Sequence, residues 1–175
     1  MQNIVLDTNS LIMSLSSKND YRMIWKAFLD GEYMLCVTNE IIEEYMEVLA
    51  RNINIRVAET IVYTILNRKN VHRLDPHFRF HLIEADQDDN KFVDCAIAAN
   101  AKYIVTEDHH FNVLKQIEFP KLNVVNIDEF LKILQDIKWY LTEWRMKTGG
   151  SEDCLPFFLY ASLGILADNL FLCRK

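Results

Sequence analysis

The chain has 175 residues and a formal net charge of −6, and half of its residues are hydrophobic. This length fits one domain with a short appendage, and the hydrophobic share excludes a chain that is disordered throughout. The acidic balance weighs against a conventional nucleic-acid binder with a basic face, although an enzyme that holds cations among carboxylates would carry the same charge.

The cysteines and the amino terminus bear on the cellular compartment. The four cysteines lack zinc-finger spacing and lie at Cys36, Cys95, Cys154 and Cys173. Two of them, Cys36 and Cys95, lie in apolar runs, where a thiol behaves as a small buried hydrophobe. Residues 1–7 have neither the basic start nor the long apolar stretch of a signal peptide. We therefore expect a protein of the reducing cytoplasm.

The first half of the chain alternates short apolar runs with amphipathic segments. In chain order the pattern predicts a strand at 3–7, a helical turn at 11–15, a helix at 20–30 ending at Gly31, a strand at 33–37, helices at about 39–51 and 55–68, and a short strand at 71–74. The candidate helix caps are Thr8, Asn9 or Ser10 for the turn and Thr38 or Asn39 for the long helix.

The second half continues the alternation. It predicts a helix at 88–101, strands at 103–106 and 122–125, and a helix at 127–135. Strands that alternate with helices indicate an α/β fold with a parallel sheet covered on both faces. In such folds ligands bind beyond the carboxyl ends of the strands.

The last residues differ from the rest. Residues 149–153 have the composition of a flexible joint, and residues 155–173 are strongly apolar. The polar pair Asp168 and Asn169, together with Gly164, argues against a membrane span. We expect a helix that packs on the domain or on a partner, and no membrane association.

Two aspartates follow predicted strands. Asp7 ends the first strand, and Asp108 follows the strand at 103–106. Alone, Asp7 is a helix cap and Asp108 a turn residue. Two parallel strands, however, would bring both carboxylates to the same edge of the sheet, where like charges repel unless a proton or a cation lies between them.

Two further acids lie on predicted helices. Asp94 shares a helix face with Asn90, Ala98 and Ala101. Small alanines would let that face approach the sheet, so we expect Asp94 to project into a crevice. In the helix at 39–51, Glu43 and Glu44 both border the apolar stripe, and the periodicity does not choose between them.

A group of carboxylates suits phosphodiester chemistry. Mg²⁺ and Mn²⁺ prefer oxygen ligands, and a bound ion can activate water and neutralise charge on a phosphodiester. The sequence lacks a G-x-S-x-G elbow, a P-loop and a G-x-G-x-x-G motif. The histidines after Asp108, His109 and His110, read as ordinary loop residues that lie near substrate phosphate at most.

These residues resemble the PIN domain, and within it the toxin components of toxin–antitoxin systems akin to VapC-type toxins. The resemblance covers about residues 3–130 and rests on the segments 4–9, 41–49, 89–99 and 103–108. It implies a three-layer α/β/α sandwich with a central parallel sheet, which we place at residues 1–136. Residues 137–175, which we expect to form a helical or apolar extension, have no counterpart in the family.

The resemblance also implies a site. The catalytic, metal-binding quartet would be Asp7, Glu44, Asp94 and Asp108, with Mg²⁺ or Mn²⁺ as the cofactor. Supporting roles would fall to Asn9 or Ser10 beside Asp7, to Thr106, which would orient Asp108, and to Asp89 as an auxiliary ligand or a helix cap. The implied activity is cleavage of RNA by an endoribonuclease, with an antitoxin protein as partner and a homodimer as the assembly.

One alternative function stays open and another is set aside. A PIN-like module without catalysis, whose role is to bind a partner protein, is suggested by the apolar tail and the negative charge. A dehalogenase-type phosphatase also begins with an aspartate after a strand, but it needs a second acid two residues later, where this chain has Asn9.

Overall fold

A parallel sheet of five strands forms the centre of the molecule in a computed structural model, which describes residues 1–148. The strands are β1 (Gln2–Leu6), β2 (Tyr33–Val37), β3 (Val71–Arg73), β4 (Tyr103–Val105) and β5 (Val124–Val125). The α-helices are α1 (Thr8–Leu15), α2 (Arg22–Leu29), α3 (Asn39–Asn52), α4 (Ile55–Leu66), α5 (Asn90–Ala98) and α6 (Ile127–Thr148), and a 3₁₀ helix occupies His109–Gln116.

The strand order is β3-β2-β1-β4-β5. The chain first steps outward from β1 to β3, then returns across the sheet to β4. Crossovers between parallel strands are right-handed, and such a reversal places helices on both faces of a sheet. The predicted α/β fold with a covered parallel sheet is confirmed. The reversal also makes the gap between β1 and β4 the switch point at which such folds bind ligands.

The central strand is buried on both faces. Ile4, Val5 and Leu6 are at most 1% exposed, so β1 has no polar side, as expected for a covered parallel strand. The buried Tyr45 of α3 donates its hydroxyl to the Leu6 carbonyl at 2.5 Å. This hydrogen bond fixes α3 close to the carboxyl end of β1.

Helix starts follow the capping chemistry in one case and depart from it in another. The Thr38 hydroxyl accepts a hydrogen bond from the Ile41 backbone N–H at 3.2 Å, which confirms one of the two predicted caps. The first helix, in contrast, already begins at Thr8, and Asp7 takes the cap position. The prediction that Thr8, Asn9 or Ser10 caps a later turn is therefore wrong.

The last described helix is longer than predicted. It runs through Ile127–Thr148, whereas the sequence predicted an end near residue 135. No glycine or proline interrupts residues 127–148, so the helix continues beyond the point where the regular apolar spacing fades. The predicted boundary between residues 136 and 137 falls inside this helix. The predicted joint at 149–153 and apolar helix at 155–173 lie outside the described residues.

Two smaller predictions concern burial and membranes. Cys36 and Cys95 are fully buried free thiols, as their apolar neighbours in the sequence indicate. Within residues 1–148, no helix is both long and apolar enough to cross a bilayer.

Candidate metal centre

The first carboxylate of the site is buried at the end of β1. Asp7 is 6% exposed, and its Oδ2 accepts a hydrogen bond from the Thr106 hydroxyl at 3.1 Å. Burial raises the pKa of Asp7 from 3.8 to about 6, against the hydrogen bond from Thr106, and the charges of Glu44 and Asp89 raise it further. The protein thus holds a carboxylate where negative charge is unfavourable, a cost that a bound cation would relieve.

The second carboxylate comes from α3. Glu43 is exposed, whereas Glu44 turns inward, so the fold makes the choice that periodicity left open. The Thr8 hydroxyl donates to Glu44 Oε1 at 2.5 Å, and the Lys91 ammonium lies 2.6 Å from Oε2. Both oxygens of Glu44 therefore have partners, and one partner carries the charge that a metal ion would supply.

A third group surrounds His110, at the start of the 3₁₀ helix. Its Nδ1 lies 3.4 Å from Asp89 Oδ2 and 3.3 Å from Asp108 Oδ1. Possible ligand atoms lie within 4.8 Å of one another in two sets, one of Asp86, Asp89 and His110 and one of Asp108, His109 and His110. His110 is therefore part of the acidic site, whereas the sequence predicted an ordinary loop residue.

The environment of Asp89 resembles that of Asp7. Burial raises the pKa of Asp89 from 3.8 to about 6, and the charges of Asp86 and Asp108 raise it further, while the neighbouring His110 lowers it. Among the described residues, three atoms of these acidic groups are buried without a hydrogen-bond partner, namely Asp89 Oδ2, Asp94 Oδ2 and His110 Nδ1. Buried polar atoms without partners are costly, and they point to an absent ligand.

Asp94 is buried at the wall of a crevice, as the sequence suggested, and the loop before α5 also contacts it. Asp94 is 2% exposed, its Oδ1 accepts from the Phe80 backbone N–H at 3.0 Å, and its Oδ2 lies 3.7 Å from the Arg79 guanidinium. Ala98, which was expected to pack on the sheet, is exposed. Asp94, like Asp7 and Glu44, belongs to neither ligand set among residues 1–148. Its oxygens contact the loop before α5, whereas the charge of Asp89 acts on Asp7 and the charge of Asp108 acts on Asp89.

The supporting residues are also arranged differently. Thr106 bonds to both aspartates, since its hydroxyl donates to Asp7 and accepts from the Asp108 backbone N–H at 3.0 Å. Asn9 is exposed, and the buried Ser10 hydroxyl finds no hydrogen-bond partner within the described residues. The expected support of Asp7 by Asn9 or Ser10 is therefore supplied by Thr106.

The donors fit a hard divalent cation. A crevice of about 740 Å³ beside α3 and α5 is lined by Glu44, Asp89 and Asp94, among other acids, with Lys91 and Arg79 as its cations. Carboxylate oxygens are the ligands that Mg²⁺ and Mn²⁺ prefer. The position of Asp89 at the predicted start of a helix was a sequence signal for its place near the site. Nothing in the sequence indicated the contacts of His110 and Lys91.

Comparisons with known proteins agree with this fold. A family model described as PIN domain matches residues 3–110. The structure is similar to that of VapBC2 from Rickettsia felis bound to a DNA fragment from its promoter, with a TM-score of 0.51 and 17% identity over 71% of this chain and 98% of that chain. It is also similar to DNA-bound VapBC from Salmonella typhimurium, with a TM-score of 0.50 and 16% identity over 73% of this chain and 99% of that chain. No curated protein matches the sequence significantly.

Proposed function

Because the chain belongs to the PIN domain family, we propose that it is a metal-dependent endoribonuclease and the toxin of a toxin–antitoxin pair. The observation that carries this proposal is the meeting of carboxylates from β1, α3 and the segments after β3 and β4 at the switch point of the sheet. The negative charges of these carboxylates repel one another, and a divalent cation between them would offset that repulsion.

The residues suited to hold Mg²⁺ or Mn²⁺ are Asp7, Glu44, Asp89 and Asp108. This set takes Asp89 in place of Asp94 of the sequence prediction, because Asp89 belongs to one of the possible ligand sets and its charge acts on Asp7. When bound, such an ion supplies a water of lowered pKa and positive charge beside the phosphodiester. The Thr106 hydroxyl bonds to Asp7 and to the Asp108 backbone and so fixes their relative positions. The Lys91 ammonium is a cation to which a phosphate oxygen can bind.

The partner proposals have separate support. VapBC structures are toxin–antitoxin complexes bound to DNA, and this chain shares their fold. A crevice rich in carboxylates suits an antitoxin that inserts a basic side chain. We further propose RNA as the substrate, a homodimer as the assembly and the cytoplasm as the location, with the nuclease domain at 1–136 and residues 137–175 as an extension.

The test is cleavage of RNA by the purified full chain with Mg²⁺ or Mn²⁺. We expect Asp7→Asn and Asp108→Asn to lower the rate by at least about 100-fold, because charge stabilisation in the transition state is lost. Asp136→Asn, at an exposed position of α6, is the matched control and should cleave like the wild type. Undiminished cleavage in both site variants would remove the proposal.

One observation favours the alternative, a PIN-like module that binds a partner without catalysis. Both oxygens of Glu44 are engaged, by Thr8 and by Lys91, so the site is neutralised in part without a metal. Calorimetric titration with Mn²⁺ separates the two functions. Absence of binding, together with a stoichiometric protein partner on purification, would favour the interaction module.

A further inference from the structure

The end of β3 and the loop that follows it differ from the rest of this acidic chain. Residues 72–82 contain two arginines, three histidines and a single acid, and residues 77–81 read His-Phe-Arg-Phe-His. The chain as a whole has a net charge of −6. Cationic and aromatic side chains are therefore concentrated next to the carboxylate crevice.

The aromatic rings of this loop face solvent. Phe78 is 76% exposed and Phe80 is 42% exposed, although phenylalanine is usually buried. A flat aromatic surface in water is suited to stack on another ring system. Arg79 and His81 line the crevice, so both exposed phenylalanines are sequence neighbours of crevice residues.

Buried polar side chains of α5 hold the loop in place. Asp94 Oδ1 accepts from the Phe80 backbone N–H at 3.0 Å. The Asn90 amide accepts from the Ile83 N–H at 3.0 Å and donates to the Ile83 carbonyl at 2.7 Å. Asp94 and Asn90 are 2% and 4% exposed, so these bonds are shielded from water. The loop backbone is thus fixed against the same helix that follows Asp89.

The two arginines both contact the start of α3. Arg79 donates to both carboxylate oxygens of Glu40, at 2.8 and 2.5 Å, and lies 3.7 Å from Asp94 Oδ2. Arg73 is exposed and donates to the Asn39 side-chain oxygen at 3.2 Å. Both guanidinium groups are therefore positioned at the start of α3, which also carries Glu44.

We propose that residues 73–81 bind single-stranded RNA beside the metal centre, with Phe78 and Phe80 stacking on bases and Arg73 near a phosphate. Aromatic rings that stack on bases, together with cations that follow the backbone, are how proteins bind single strands. A duplex keeps its bases stacked on one another and away from such rings. The inference rests on the proposed ribonuclease function and extends it to the residues that contact the RNA outside the metal centre.

The test measures binding separately from cleavage. A fluorescein-labelled single-stranded RNA of about 12 nucleotides is titrated with the full chain in EDTA at low salt, and fluorescence anisotropy gives the Kd. A duplex of the same length is the second probe. Phe119→Ala is the matched control, since Phe119 is 90% exposed but lies in the segment that leads into the amino end of β5, at the opposite edge of the sheet.

We expect Phe78→Ala to raise the Kd for the single strand by about tenfold, because a stacking contact is lost. Phe119→Ala should leave the Kd unchanged, and the duplex should bind more weakly than the single strand. Arg73→Gln should weaken binding and lower the slope of log Kd against log salt, since a phosphate contact is lost.

Other outcomes overturn the inference. If the wild type does not bind the single strand, prefers the duplex, or binds equally well with Phe78→Ala, the loop is not an RNA contact, and a protein partner becomes the explanation of its exposed rings. Cleavage assays in Mg²⁺ run alongside. If cleavage depends on Asp7 but Phe78→Ala does not change RNA binding, the proposed role of the loop is refuted and the nuclease proposal stands. If the RNA is bound but not cleaved, the nuclease proposal is refuted.

Discussion

Asp7→Asn should stabilise the metal-free protein while it abolishes function. The pKa of Asp7 is raised from 3.8 to about 6, so the native state holds the proton more tightly than the unfolded chain does. The penalty for the buried charge is absent below pH 3.8, grows as the pH rises to about 6, and is then complete at about 3 kcal/mol. An asparagine carries no charge and can still accept the Thr106 hydrogen bond, but its amide N–H groups need partners.

We therefore expect Asp7→Asn to raise the free energy of unfolding by about 2 kcal/mol at pH 7 in EDTA, and to have no stabilising effect at pH 4. Urea denaturation followed by circular dichroism measures both values. Asp136→Asn, which removes an exposed carboxylate, is the control and should change neither. Saturating Mg²⁺ should stabilise the wild type alone. A variant that is less stable at pH 7, or equally stabilised at both pH values, would refute the reasoning.

Four other substitutions test separate contacts. Asp89→Asn should weaken Mn²⁺ binding by at least about tenfold in calorimetry. Asp94→Asn should change the Mn²⁺ affinity by less than about threefold. The reverse order would contradict the assignment of Asp89 to the metal. Lys91→Met should tighten Mn²⁺ binding several-fold, because an ammonium 2.6 Å from Glu44 competes with the ion, and unchanged affinity would show that Lys91 does not compete. Tyr45→Phe removes the buried hydrogen bond to Leu6 and should lower the free energy of unfolding by about 1 kcal/mol in urea; equal stability would mean that this bond contributes nothing.

The parts of the fold that depend on local pattern could be predicted from the sequence. The apolar run 3–6 is a buried central strand, and the spacing of Ile41, Tyr45 and Leu49 gives the buried face of α3. Asp7 follows β1 directly, so its place at the carboxyl edge of a parallel sheet needed no further information. The resemblance to a family added the preference for Glu44.

The partners of the acids could not be predicted in the same way, because they come from loops. Asp94 and Asp89 are five positions apart on one segment, and periodicity cannot say which of them meets a loop whose course is unknown. The loop before α5 donates the Phe80 backbone N–H to Asp94, and Asp89 lies beside His110. In the same way, Thr106 rather than Ser10 reaches Asp7 because β4 lies beside β1, a pairing that joins residues far apart in the sequence.

Anomalous diffraction from crystals grown with Mn²⁺ tests the central claim most directly. We expect a peak at the carboxyl edge of the sheet, from an ion that is coordinated by oxygens of Asp7, Asp89 and Asp108 and not by Asp94. A crystal that shows no peak there at millimolar Mn²⁺, or a peak held by Asp94 without Asp7, would contradict it.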